Sequence, residues 1–144
     1  MRILSRFSTC VLALALGACS QSDKTFFGHQ SSDESTVRGP NGEKLGVVRP
    51  HDQNIARGGT ETVTVHLKRD NIAGPVMVTI QGLPSGVEAV DAPRSTETDK
   101  IQIVLRAMPN ADLVSGQRIM VTAEGPGNIR ASESFKLTVK EKHA

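Results

Sequence analysis

From Glu61 to the C-terminus, apolar residues return at every second position in five separate runs. Val63, Val65 and Leu67 alternate with Thr64, His66 and Lys68, and Val76, Val78 and Ile80 share one face of PVMVTI. The same spacing recurs at Ile101, Ile103 and Leu105, at Ile119, Val121 and Ala123, and at Phe135, Leu137 and Val139. Successive side chains of a strand point to opposite faces, so each run predicts a strand with one apolar side. Weaker runs at Leu45 to Arg49 and Val87 to Asp91 bring the expected number to about seven. All 7 prolines fall between these runs or at their edges, where a missing N–H donor is harmless. No long stretch repeats with helical spacing, and the single candidate for a helical turn is MPNADLVSG, Met108 to Gly116. Short one-sided strands separated by turns argue for an all-β fold. A single immunoglobulin-like sandwich of about seven antiparallel strands over residues 45–144 is therefore expected.

The beginning of the chain follows another rule. Arg2 and Arg6 precede an apolar stretch from Phe7 to Ala18 that ends in the small residues Gly17 and Ala18. This is the layout of a secretory signal, and the polar run from Ser20 cuts it short of the ~20 apolar residues needed to span a bilayer. Residues 1–18 are read as a signal peptide and residues 19–44 as a flexible tether. The tether is rich in Ser, Gly, Asp and Lys and lacks apolar periodicity, so it buries too little to offset its ordering entropy. Its r.m.s. reach is about 25–30 Å. Phe26 and Phe27 break the polar pattern, either as a docking point for a partner or the membrane interface, or as a local apolar pair. Asn41-Gly42 after Pro40 marks a tight turn.

Leu16-Gly17-Ala18-Cys19 resembles the lipobox of bacterial lipoproteins. The resemblance implies cleavage between Ala18 and Cys19, attachment of a diacylglyceryl group to the Cys19 sulfur, and retention at a membrane. Ser20 in place of Asp implies, in the Gram-negative version of that family, the outer membrane. Cys10 lies inside the leader, so the mature chain would keep Cys19 alone and form no internal disulfide.

The segment from Gly58 onward resembles the small bacterial immunoglobulin-like modules of secreted proteins. The residues that carry this are GGTETVTVHL, PVMVTIQGLPSGVEA, IVLRAMPNADLVSGQRIMVTAEG and FKLTV. The resemblance implies that Leu83 to Val87 joins two strands and that Gly116 precedes a strand of the second sheet. It implies adhesion, spacing or partner binding, and seldom catalysis. The Trp and Tyr that mark antibody domains are absent.

Charge and composition narrow the chemistry. Removing Arg2 and Arg6 from 17 basic residues leaves 15 against 15 acidic ones, a net charge of zero, so nucleic acid is not an expected partner. Aromatic residues are 3% and all Phe, which leaves little to stack on sugars or bases. His29, His51, His66 and His143 are scattered without zinc-type spacing, and no metal or cofactor is expected. Asp52-Gln53-Asn54 and Asp70-Asn71 are read as turn residues in preference to calcium ligands, which would come as clustered carboxylates. Ser85 in GLPSG lacks the Gly two positions before it that a nucleophile elbow requires, and no His and acid are placed to serve it. Glu97 and Asp99 belong to a polar turn. No catalytic residue is assigned, and the chain is not expected to be an enzyme.

The remaining candidates stand on the outward side of the strands: Met77, Val104 and Met120. If the strands holding Met77 and Met120 pair, the two side chains would form an exposed apolar patch with adaptable packing. The expected function is that of an envelope lipoprotein displaying a β-sandwich that binds an envelope protein or serves as a structural module. A glycan- or calcium-dependent ligand-binding module is the alternative, and an enzyme inhibitor or accessory subunit a further one.

Overall fold

The alternating runs form two five-stranded sheets packed face to face. The computed structural model describes residues 33–143, so the leader, Ala18, Cys19, Phe26 and Phe27 lie outside the described residues. In chain order the strands are β1 (Glu34–Arg38), β2 (Lys44–Val48), β3 (Gln53–Ala56), β4 (Thr60–Asp70), β5 (Val76–Gln81), β6 (Val87–Ala89), β7 (Arg94–Thr96), β8 (Lys100–Ala107), β9 (Val114–Gly125) and β10 (Ile129–Lys140). A short 3-10 turn, Pro126–Asn128, joins the last two. The first sheet has the order β1-β2-β4-β8-β6 and the second β3-β10-β9-β5-β7.

This order is that of an immunoglobulin-like sandwich. Strands β2, β4, β8 and β6 occupy the A, B, E and D places of one sheet, and β5, β9 and β10 the C, F and G places of the other. After β2 the chain crosses through Arg49-Pro50 to the second sheet, where β3 runs parallel to β10 with Ile55 beside Val139. All other pairings are antiparallel. The edge strands β6 and β7 are visited one after the other on opposite sheets before the chain returns to β8.

Every inward residue of the five strong runs is buried except Ile80, which is half-buried against the core. Val63 lies opposite Ile103 and Val65 opposite Ile101 in one sheet, while Ile119 lies opposite Phe135 in the other. Phe135 is the largest fully buried side chain. The ladder between β9 and β10 slips between Leu137 and Val139, where Gly116 takes a φ of 62° and its N–H meets the Thr138 hydroxyl at 3.1 Å. That is a β-bulge with its glycine in the left-handed region. Gly116 thus sits inside β9, whereas the resemblance placed it just before a strand. Leu83 to Val87 does join two strands, closing with Val87 N–H on the Pro84 carbonyl at 3.0 Å.

Three strands were not expected. Strand β1 lies within residues 19–44, the segment read as a tether, because Glu34-Ser35-Thr36-Val37-Arg38 has one apolar residue and shows no period. It is held by pairing: the Gly39 N–H donates to Glu43 O at 2.8 Å and Arg49 N–H to Asp33 O at 2.7 Å, closing both ends of a hairpin with β2. Strand β3 turns a single residue, Ile55, inward, and β7 has no apolar residue. Of the candidate helical turn at Met108 to Gly116, Met108 to Leu113 form an irregular loop and Val114 to Gly116 begin β9. One turn closes, Ala111 N–H on Met108 O, but the N–H groups of Met108 and Asp112 are taken by Gly86 O and Ser85 O at 2.7 and 2.9 Å. A helix beginning at Met108 would need the Asp112 donor for its own ladder.

Gly86 takes a φ of 78°, and a Cβ there would come within 2.6 Å of Ala111 Cα, itself fully buried. Gly42, at 85°, faces open space. Gly86→Ala should therefore cost several times the ~1 kcal/mol expected for Gly42→Ala, which meets backbone strain alone. Phe135→Ala should cost about 3–5 kcal/mol. Chemical denaturation of the three variants beside the parent checks the order.

Candidate interaction surface

The outer face of the second sheet carries the two methionines singled out from the sequence. Strands β5 and β9 are neighbours, so the expected pairing exists. The register separates the side chains, however. Met77 lies opposite Glu124 and Met120 opposite Gln81, about 13 Å apart along the strands. No continuous apolar patch forms. Val104 stands on β8 in the first sheet, whose outer face is on the other side of the sandwich. Met77 and Met120 are 41% and 44% exposed, while Val104 is half-buried.

Between the methionines runs a row of short hydroxyl side chains: Thr79, Thr122 and Ser132, one from each of three neighbouring strands. Thr122 and Ser132 share a hydrogen bond of 2.9 Å, and all three are half-buried. At the Met77 end Ser95 Oγ approaches the sulfur at 3.8 Å, and Arg130 pairs with Glu124 at 2.8 Å. At the Met120 end stand Gln81 and Ser134, followed by Arg118 opposite Lys136. The hydroxyl row was not foreseen, because alternation reveals which residues face outward and the strand register decides which of them meet.

Beside this face Arg49, Arg118, Ser134, Phe135 and Lys136 line an open cleft of about 270 Å³. Asp52 holds its rim: its carboxylate accepts the Lys136 N–H at 2.9 Å and lies 3.6 Å from the Arg49 guanidinium. The Lys136 amide, and after it the charge of Arg49, hold the Asp52 carboxyl below its ordinary value of 3.8. Asp70 pairs with Lys44 at 3.1 Å, and Asn71, at a φ of 54°, donates to Asn41 O at 3.2 Å. Asp52, just before β3, and Asp70, the last residue of β4, thus tie neighbouring segments together, and Gln53 and Asn54 belong to β3 and not to a turn.

His51 and His66 line one open groove with Asp33, Arg49, Asp52 and Thr64 on the first sheet, and both imidazoles are exposed. Among the described residues no group of three or more His, Cys, Asp or Glu is arranged to hold a metal ion. Side-chain hydrogen bonds among the described residues join no serine to a histidine. Ser85 lies in the turn before β6, where its carbonyl accepts the Asp112 N–H. Glu97 and Asp99 lie in the turn between β7 and β8, and Asp99 O accepts the Leu67 N–H at 2.8 Å.

No family model matches the chain, and no curated protein matches it. Solved structures that align with it include titin domains. A chimeric titin Z1Z2 carrying a decorin peptide aligns over 76% of this chain and 95% of its own, with 16% identity and a TM-score of 0.42. A titin M10 complex with obscurin-like 1 aligns over 77% and 96%, with 13% identity and the same TM-score. Titin Z1Z2 in complex with telethonin aligns over 77% of this chain and 49% of its own, at 16% identity and a TM-score of 0.42. The class of this chain, an immunoglobulin-like β-sandwich, rests on the strand order described above.

Because folding depresses the Asp52 carboxyl, the stability it contributes is present above its unfolded value and is lost as pH falls through the lower folded one. The group is exposed, so the effect should be under about 1 kcal/mol. Asp52→Asn should flatten the stability profile below pH ~4 relative to the parent, measured by urea denaturation across the acid limb.

Proposed function

We propose that this chain is a lipid-anchored envelope lipoprotein, held through Cys19 and most consistent with the outer membrane, that displays one immunoglobulin-like sandwich as a protein-binding module. The observation that carries the binding reading is the outer face of β5, β9 and β10. Two exposed methionines there flank an uncharged row of hydroxyls, with the Arg130–Glu124 ion pair at the Met77 end and two cations, Arg118 and Lys136, beyond Met120. Such a face offers flexible apolar contacts and adaptable hydrogen bonds without a deep cavity, which suits a protein surface better than a small ligand. The leader pattern and Leu16 to Cys19 support the anchor, since a multiply acylated cysteine binds a membrane essentially permanently.

A glycan- or calcium-dependent ligand-binding module is the second reading. Phe26 and Phe27, in the segment that would join lipid to sandwich, would add apolar contacts to a partner or to the membrane interface.

Cys19→Ala should abolish palmitate incorporation and release the protein from the membrane fraction. In-cell cross-linking followed by mass spectrometry should capture an envelope protein with the parent. Met77→Lys and Met120→Lys, made separately because the side chains do not touch, should each reduce that capture several-fold. Capture unchanged by both would refute the proposed face, and a thermal upshift with calcium would favour the second reading.

A further inference from the structure

The first sheet ends in a strand that is complementary to itself. In the hairpin of β1 with β2, Asp33 O accepts from Arg49 and Gly39 N–H donates to Glu43. Register places these two pairs in line with Ser35 opposite Val47 and Val37 opposite Leu45. Odd-numbered residues of β1 therefore direct their backbone groups to β2, and Glu34, Thr36 and Arg38 direct theirs to the outer edge, where no described strand pairs with them.

We infer that this edge pairs antiparallel with β1 of a second copy about a two-fold axis at Thr36. In that register Glu34 meets Arg38 of the other copy at both ends, and Thr36 meets Thr36. Each of these pairs exchanges two hydrogen bonds, so every outward backbone group of β1 finds a partner. Shifting the copies by two residues leaves Glu34 or Arg38 without one. The charges agree with the backbone. On the outer face the opposite ends of Glu-Ser-Thr-Val-Arg carry opposite signs, and opposite charges across a ladder are favourable, as are facing threonines. On the inner face Val37, 37% exposed, would lie opposite Ser35.

Glu34 is already oriented for this. It is bound by Lys68 and accepts the Thr36 hydroxyl at 2.8 Å. Its side chain reaches Lys68 across Gly46, where a Cβ would come within 2.8 Å of Thr36 Oγ1. Arg38 makes no ion pair among the described residues, and it is exposed. The other edges are less suited. Strands β6 and β7 have three residues each and β3 has four, and β3 covers β10 only from Leu137 to Lys140. On β10 the Lys136 N–H is taken by Asp52, and the Ser134 N–H by the Glu133 carboxylate at 3.3 Å. The two-copy sheet would run continuously from β6 of one copy to β6 of the other, burying an edge that proteins otherwise protect.

The test uses the full chain with Cys10→Ser and Cys19→Ser, so that neither native thiol joins copies. Residues facing each other in a hydrogen-bonded pair have Cα atoms about 5.5 Å apart, within disulfide reach. Thr36→Cys should give a disulfide-linked dimer under mild oxidation, and Ser95→Cys on the edge strand β7 should not. Adding Arg38→Glu places like charges at both ends and should lower the yield of dimer about tenfold. Combining Arg38→Glu with Glu34→Arg and Lys68→Glu, which keeps the pairing inside each copy, should restore it. A cooperative thermal melt in each variant separates loss of pairing from loss of fold. Absence of dimer with Thr36→Cys, equal dimer with Ser95→Cys, indifference to Arg38→Glu, or failure of the charge exchange to restore it would each overturn the inference.

Discussion

Two sheets must bury their aliphatic faces against each other with one aromatic ring between them, and the rest of the structure depends on that constraint. Phe135 is the only aromatic residue among those described, so the interior is filled by Val, Ile, Leu and Ala whose small side chains tolerate little misalignment. Antiparallel pairing supplies the alignment. Val63 and Val65 opposite Ile103 and Ile101 keep both partners of each pair on the inner face, and a slip of one residue would turn them all to water. The crossing from β2 to β3 and the parallel β3–β10 pair then tie the two sheets at one side, while Gly86 and Ala111 close one end.

With the interior committed, the polar residues work at the margins. Asp52 joins the crossing to β10, Arg57 reaches the Ala111 carbonyl at 2.7 Å, and Glu34 binds Lys68 over Gly46. These contacts are largely exposed and individually weak. Their value lies in fixing where the edge strands run, and hence which surfaces stay open. The open surfaces differ in character: the outer face of β5, β9 and β10 is broad and neutral at its centre, whereas the edge of β1 is narrow, linear and charged at both ends. The first suits a partner of unlike shape, the second a copy of itself. The two lie on different sheets, so one copy could use both.

The strong strands were legible because period-two burial writes itself directly into the sequence. Val63 to Leu67, Ile101 to Leu105 and Phe135 to Val139 could be assigned, inner face included, without any structure. Strands β1, β3 and β7 could not. Glu34 to Arg38 and Arg94 to Thr96 carry almost no apolar signal, since an edge strand is held by the backbone of its neighbour, and backbone hydrogen bonds leave no mark in residue type. Met108 to Gly116 misled for the converse reason: its residues tolerate a helical turn, but the carbonyls of Ser85 and Gly86, far off in sequence, claim its N–H groups.

The candidate surface divides in the same way. That Met77, Val104 and Met120 face outward follows from alternation alone, and so does the polar character of their neighbours. The lipobox-like Leu16 to Cys19 is likewise a local pattern, complete in four residues. Whether two outward residues meet is a matter of register and sheet membership, which are long-range. Register put Thr79, Thr122 and Ser132 side by side and held Met77 and Met120 apart, and sheet membership sent Val104 to the opposite face. Sequence by itself determined which side of each strong strand is buried, because burial is a property of single residues. Only the tertiary structure decided which exposed residues share a surface, because that depends on how distant strands pair.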